Sequence, residues 1–182
     1  MVKGVIFDMD GLMFDTERLW DKMWEPACKA LGLPLPENLA AFSASCRGLA
    51  GDNLRSQVAK YIPGDPQRLL DKVWQMADER FAQGVPCKKG LKELLTALDD
   101  RGMPRIVASS SPRTMIEMNL QNTGTARYFH DVVSGTEVKH SKPAPDTFLL
   151  AAEKLHLDPK DCLVLEDSFN GVRAGRAAGC VT

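Results

Sequence analysis

The sequence predicts an α/β fold: a parallel-sheet core with an all-helical segment inserted after its first strand. Three observations lead there. Short apolar runs recur along the chain, and each of the later ones follows a helical pattern. The stretch from Thr16 to Gly84 shows only helical periodicity and loops. Polar clusters follow the apolar runs, always on the C-terminal side.

The first run, Val2-Lys3-Gly4-Val5-Ile6-Phe7-Asp8, is too short for a helix and stops at Asp10-Gly11, so it reads as a buried parallel strand. Similar runs stand at Arg105–Ala108, Asp131–Ser134 and Cys162–Leu165. Leu91, Leu94, Leu95 and Leu98 share a helical face before the second, and Phe148, Ala151, Ala152 and Leu155 share one before the fourth. Strands alternating with helices of this length imply βαβ units. Within the inserted stretch, Leu70, Val73, Trp74, Ala77 and Phe81 form an amphipathic stripe, and breaks at Pro34–Pro36 and Pro63–Pro66 separate the helices. Trp20 and Trp24, four apart, are expected on one face of one helix. The predicted division is a core of residues 1–15 and 86–182 with a helical domain of residues 16–85. Cys180-Val181-Thr182 begins another strand where the chain stops, which suggests a shortened chain whose exposed sheet edge favours association.

Bulk properties narrow the function. A chain of 182 residues fits one domain, or one core with an insertion. At this length roughly 70% of the extended chain's surface is buried on folding, enough for a core without staples. The net charge is −1 and the basic residues are scattered, which argues against nucleic acid as a partner. No apolar run is long enough to span a membrane, and no leader precedes the first strand. Five cysteines, far apart and without C-x-x-C pairs, suggest neither a disulfide framework nor a zinc site, and fit a reducing cytoplasm. A monomer acting on a small molecule is the expectation.

The chemistry is concentrated in four clusters: Asp8-Met9-Asp10-Gly11, Ser109-Ser110-Ser111, His140-Ser141-Lys142-Pro143 and Glu166-Asp167-Ser168. In open parallel sheets that edge is where ligands bind. Taken singly, each cluster reads as a helix cap, a loop or a solvated charge. Asp8 resists that reading, because it ends a buried strand where an unpaired carboxylate is costly. Together the clusters supply carboxylates suited to Mg²⁺, hydroxyls, and one lysine that could hold phosphate oxygens.

Phe7-Asp8-Met9-Asp10-Gly11, the serine after the second strand, Lys142-Pro143-Ala144-Pro145-Asp146 and Leu165-Glu166-Asp167-Ser168-x-x-Gly171 resemble the haloacid dehalogenase superfamily, in its phosphatase and β-phosphoglucomutase-like branch. The resemblance spans essentially the whole chain, with all four motifs in order. It implies a Rossmann-like parallel-sheet core with a helical cap, and Mg²⁺ as cofactor. It implies Asp8 as the nucleophile that forms an aspartyl-phosphate, and Asp10 as general acid/base whose backbone carbonyl also ligates the metal. Ser109 would bind phosphate through its hydroxyl and Ser110 through a backbone N–H. Lys142 would neutralise the nucleophile and the transferring group. Asp167 would ligate the metal, with Glu166 as a ligand or beside one. Asp10 also separates this chain from the superfamily's dehalogenases, which resemble D-x-Y at that point.

Substrate choice would rest on the cap. Trp20 is a candidate lining residue, and Arg47 could meet an anionic or hydroxylated substrate. The mutases carry an arginine a few residues beyond the loop glycine, where this chain has Leu49-Ala50-Gly51-Asp52, and a histidine where it has Trp20. The expected activity is hydrolysis of small phosphate monoesters, sugar phosphates first. A phosphosugar mutase is the alternative, and a non-catalytic phospho-acceptor module resembling signalling receiver domains is the reading from another class.

Overall fold

The computed structural model describes residues 1–182. Four parallel strands, β1 (Gly4–Phe7), β2 (Arg105–Ser109), β3 (Val132–Ser134) and β4 (Cys162–Leu165), form one sheet in the order β3-β2-β1-β4. Pairing is in register, with Ile6 opposite Ile106 on one side and Val164 on the other. The expected extra strand at the C-terminus is a single parallel bridge from Val181 to Leu163, beyond β4.

Strand alternation sorts the side chains onto two faces. Val5, Phe7, Val107 and Val132 join one cluster with Leu91 and Leu95 of α6 (Leu91–Asp99) and Met115, Ile116 and Leu120 of α7 (Arg113–Thr123). Ile6, Ile106, Ala108, Val133 and Val164 join another with Phe148, Ala151 and Ala152 of α8 (Asp146–Lys154) and Ala174 of α9 (Phe169–Ala177). Helices on both faces explain why the strands read as continuous apolar runs.

Between β1 and α6 lie α1 (Glu17–Asp21), α2 (Trp24–Leu31), α3 (Leu39–Cys46), α4 (Gly51–Ala59) and α5 (Pro66–Phe81). They enclose a third cluster around Trp24, Phe42, Val58, Leu69 and Val73. Asp65 caps α5 by accepting from the Gln67 N–H at 2.9 Å, and Pro66 occupies the first turn, where no N–H is needed. The expectation that Trp20 and Trp24 share one helix is corrected: α1 closes at Lys22 and a new helix opens at Trp24. Pro26 is the physical reason, since a residue without an N–H is tolerated only in a helix's first turn. Trp24 packs on Phe42, whereas Trp20 packs edge-on against Phe81 at 5.1 Å. The segments entering and leaving the helical part run antiparallel, with Asp15 N–H donating to Pro86 O and Lys88 N–H to Met13 O, both at 2.9 Å. No helix is long and apolar enough to cross a membrane.

Phe81 is fully buried at the end of α5, where the helical part meets the sheet's core cluster. Phe81→Ala should lower stability by about 3–5 kcal/mol, read as a shift in the urea midpoint.

Candidate active site

The strand order places a topological switch between β1 and β4, since the chain builds outward from β1 to β3 and then returns to β1's other side. The carboxyl ends of these two strands deliver Asp8 on one side and Glu166 and Asp167 on the other. One carboxylate oxygen from each of the three lies within 4.8 Å of the others.

Lys142 holds this group together. Its fully buried ammonium donates to Asp8 Oδ1 at 2.6 Å, Glu166 Oε1 at 2.8 Å and Ala108 O at 3.3 Å, and stands 4.7 Å over the Phe148 ring. Burial alone would lower the lysine's pKa, but the charges of Asp8 and then Glu166 outweigh it and hold the ammonium charged. For Asp8, burial is the largest influence and pushes the carboxyl well above its ordinary range, with Lys142 opposing and Glu166 reinforcing the rise. Asp167 is raised by burial first and by Glu166 next. Three carboxylates against one cation leave an excess of negative charge, and an all-oxygen donor set of this kind fits a divalent ion such as Mg²⁺.

Close approach depends on two glycines. Gly11, at φ +83°, turns the chain directly after Asp10, and a Cβ there would meet the Asp167 carboxylate. A Cβ at Gly171 would overlap the Glu166 carboxylate, which also accepts from the Ser168 N–H at 2.6 Å. Ser168 caps α9 by accepting from the Gly171 N–H at 3.0 Å, so helix start and carboxylate are fixed by the same turn.

Asp10 stands outside the three-carboxylate group. Its Oδ1 accepts from Thr16 Oγ1 at 2.6 Å and Trp20 Nε1 at 3.1 Å, and its Oδ2 from Ser111 Oγ at 2.7 Å and Ser109 Oγ at 3.3 Å. Ser109 Oγ also accepts from the Ser111 N–H at 3.0 Å, while Ser110 Oγ donates to Gly48 O at 2.9 Å. All the expected residues Asp8, Asp10, Trp20, Arg47, Ser109, Ser110, Glu166 and Asp167 line one pocket, and Lys142 lies beneath it.

Sequence reasoning missed several members of this site. Ser111 was visible as the third serine of its cluster, and two residues beyond Ser109 its hydroxyl also reaches Asp10. Thr16 and Glu17 stand in the sequence only as the start of the helical domain, yet Thr16 donates to Asp10 and Glu17 lines the pocket. Burial, opposed by Arg47, pushes the Glu17 carboxyl up to about 7. Arg47 pairs with Glu17 at 2.5 Å and Asp21 at 3.1 Å, and Asp21 accepts from Ser43 Oγ at 2.5 Å.

Removing the buried cation would leave Asp8 and Glu166 facing each other without a partner. Lys142→Met should therefore destabilise the metal-free protein by about 3–5 kcal/mol near neutral pH. A carboxyl whose folded-state pKa lies above its unfolded value weakens the fold where it must ionise. The loss should accordingly be smaller at pH ~5 than at pH ~8, measured by urea unfolding in chelator.

A family model described as haloacid dehalogenase-like hydrolase matches residues 2–179. A fructose-1-phosphate phosphatase of Escherichia coli is 32% identical over 97% of this chain and 92% of its own length. A hexitol phosphatase of the same organism is 31% identical over 97% and 80%. A phosphorylated carbohydrates phosphatase of Thermotoga maritima is 28% identical over 98% and 82%. Among solved structures, a hydrolase from Pseudomonas syringae superposes with a TM-score of 0.86 at 26% identity, covering 99% of this chain and 82% of that one. The four motifs around one switch point, the match over nearly the whole length and these relatives agree: the chain belongs to the haloacid dehalogenase-like hydrolases.

Proposed function

We propose that this protein is a Mg²⁺-dependent phosphatase that hydrolyses small phosphate monoesters, sugar phosphates foremost, through a phosphorylated Asp8. The observation that carries the reading is the Asp8–Lys142–Glu166 chain of ion pairs beside Asp167, at the sheet's switch point. The helical part, residues 16–85, is read as a cap over that point, with the antiparallel segments at Asp15 and Pro86 as its junctions. Five free cysteines spread through the fold suit a reducing cytoplasm.

A carboxylate and a phosphate dianion repel, by several kcal/mol at ~4 Å when partly desolvated. Lys142 offsets that repulsion on the nucleophile's side. Asp8, Asp167 and Glu166, with the Asp10 main-chain carbonyl, would hold the metal, which when bound supplies charge neutralisation at the phosphoryl oxygens. The Ser109 hydroxyl and the Ser110 N–H would hold the remaining oxygens. Asp8 then attacks phosphorus as the ester P–O bond breaks, and Asp10 passes a proton to the departing alkoxide. In the second half, Asp10 takes a proton from a water that attacks the aspartyl-phosphate, releasing inorganic phosphate and restoring Asp8. The donors from Thr16, Trp20 and Ser111 orient Asp10 for both transfers.

Hydrolysis is favoured over phosphosugar transfer by the cap loop. Ala50 is buried and Asp52 is an exposed acid, so the loop beyond Gly48 offers no cation for a second phosphate. Relatives named for sugar and hexitol phosphates support the same class.

The test is phosphate release from a panel of sugar phosphates with Mg²⁺ and with EDTA. Turnover should appear only with the metal, and Asp8→Asn should reduce it by at least about 10³-fold. Activity surviving in Asp8→Asn would remove the covalent route. Asp10→Asn should retain a burst of phosphoenzyme on an activated aryl phosphate, whose leaving group needs little protonation, while steady turnover falls about 10²-fold or more.

A further inference from the structure

The pocket's outer wall carries a charge balance that the phosphatase reading does not by itself require. Of the residues lining the pocket, Arg47 is the only basic one. Its guanidinium is already engaged, by Glu17 on one side and Asp21 on the other. Asp21 is still 40% exposed in its side chain, so it keeps acceptor capacity toward the cavity beyond its bonds to Arg47 and Ser43. Glu17 and Asp21 share this one guanidinium, so the wall presents carboxyl oxygens on both sides of its single cation. Beside them, Trp20, Trp74 and Leu70 line the same cavity with aromatic and aliphatic surface.

Carboxylates accept hydrogen bonds from hydroxyls, and indole faces cover C–H surfaces. Both repay a neutral polyol. An acidic head group would meet Glu17 and Asp21 and would have to contest Arg47 with both of them. Resting on the phosphatase reading and deepening it, we propose that Glu17, Asp21 and Arg47 form a selection wall. It admits monophosphates whose leaving group is an uncharged polyol, and rejects esters with a second anionic group, whether a carboxylate or another phosphate.

The experiment compares kcat/KM for fructose 1-phosphate, phosphoglycolate and fructose 1,6-bisphosphate in the wild type and in Asp21→Asn, with p-nitrophenyl phosphate as a headless control. The wild type should favour the neutral ester over either doubly anionic one by roughly tenfold or more, the scale of one like-charge contact at the protein surface. Asp21→Asn should narrow that gap about five- to tenfold through improved use of the anionic esters. Equal or better use of phosphoglycolate or the bisphosphate by the wild type would overturn the inference. So would a ratio unmoved by Asp21→Asn. If no ester is hydrolysed, p-nitrophenyl phosphate included, the phosphatase reading falls. The wall is then judged on binding: calorimetric affinities of Asp8→Asn for the same three esters must show the same preference, and equal affinities would sink it.

Discussion

A lysine with no solvent exposure, fastened between two carboxylates from different strands, is the constraint on which the rest of this structure depends. An ammonium cannot be buried alone, and Asp8 and Glu166 cannot be brought together without one. Adjacent strands β1 and β4 deliver the two acids, and the loop after β3 must reach across β2 to deliver the lysine. Breaking the set at any member leaves an unpaired buried charge, so the sheet order, the loop's path and the protonation states are mutually dependent. Neutrality is not reached even so. Asp167 adds a third carboxylate with no ammonium of its own, and that residual negative charge fits the site to a divalent cation.

The helical part is tied to this centre largely through main-chain atoms. Ser141, immediately before Lys142, donates to Ala50 O at 2.6 Å and accepts from the Ala50 N–H at 3.2 Å, and Asn53 donates to Ser141 O at 3.1 Å. Ser110 donates to Gly48 O, and Asn170 donates to Arg47 O at 2.9 Å. The loop between α3 and α4 is thus held against two loops of the sheet edge and the first turn of α9 at once. Because the loop contributes main-chain atoms to most of these bonds, its position depends little on its side chains. The anchoring atoms are of a kind that every residue carries, and the side chains that line the pocket are a separate set.

Much of this was legible in the sequence, for reasons that differ by residue. Apolar runs buried on both sheet faces mark the strands, and Asp8 is conspicuous because it ends one of them. Lys142 stands out in its cluster, but its pairing with Asp8 and Glu166 is not legible from pattern, since they lie 134 and 24 residues away. Ser111 belongs to one of the four clusters but has no assigned role, because nothing in a serine triplet says which hydroxyls turn inward. The break between Trp20 and Trp24 is signalled by Pro26, but the four-residue spacing of the two indoles masks it. Glu17 and Asp21 carry no signal at all as a pair, because charged residues at helical spacing usually mark a solvated face.

That pair shows how a very short helix can couple two tasks. In α1, Thr16 and Trp20 are one turn apart and both donate to Asp10, the proposed acid. Glu17 and Asp21 are also one turn apart, displaced by one residue, and both hold Arg47. Helical geometry puts these pairs on neighbouring faces, since each step of one residue turns the helix by about 100°. One face therefore orients Asp10, while the next holds the arginine of the proposed selection wall. A slip of one residue would break both sets of bonds together. A leaving group that displaces Arg47 from Glu17 and Asp21 would strain the element that positions Asp10. Selection at the proposed wall and proton transfer by the proposed acid would then be linked through the same turn of backbone.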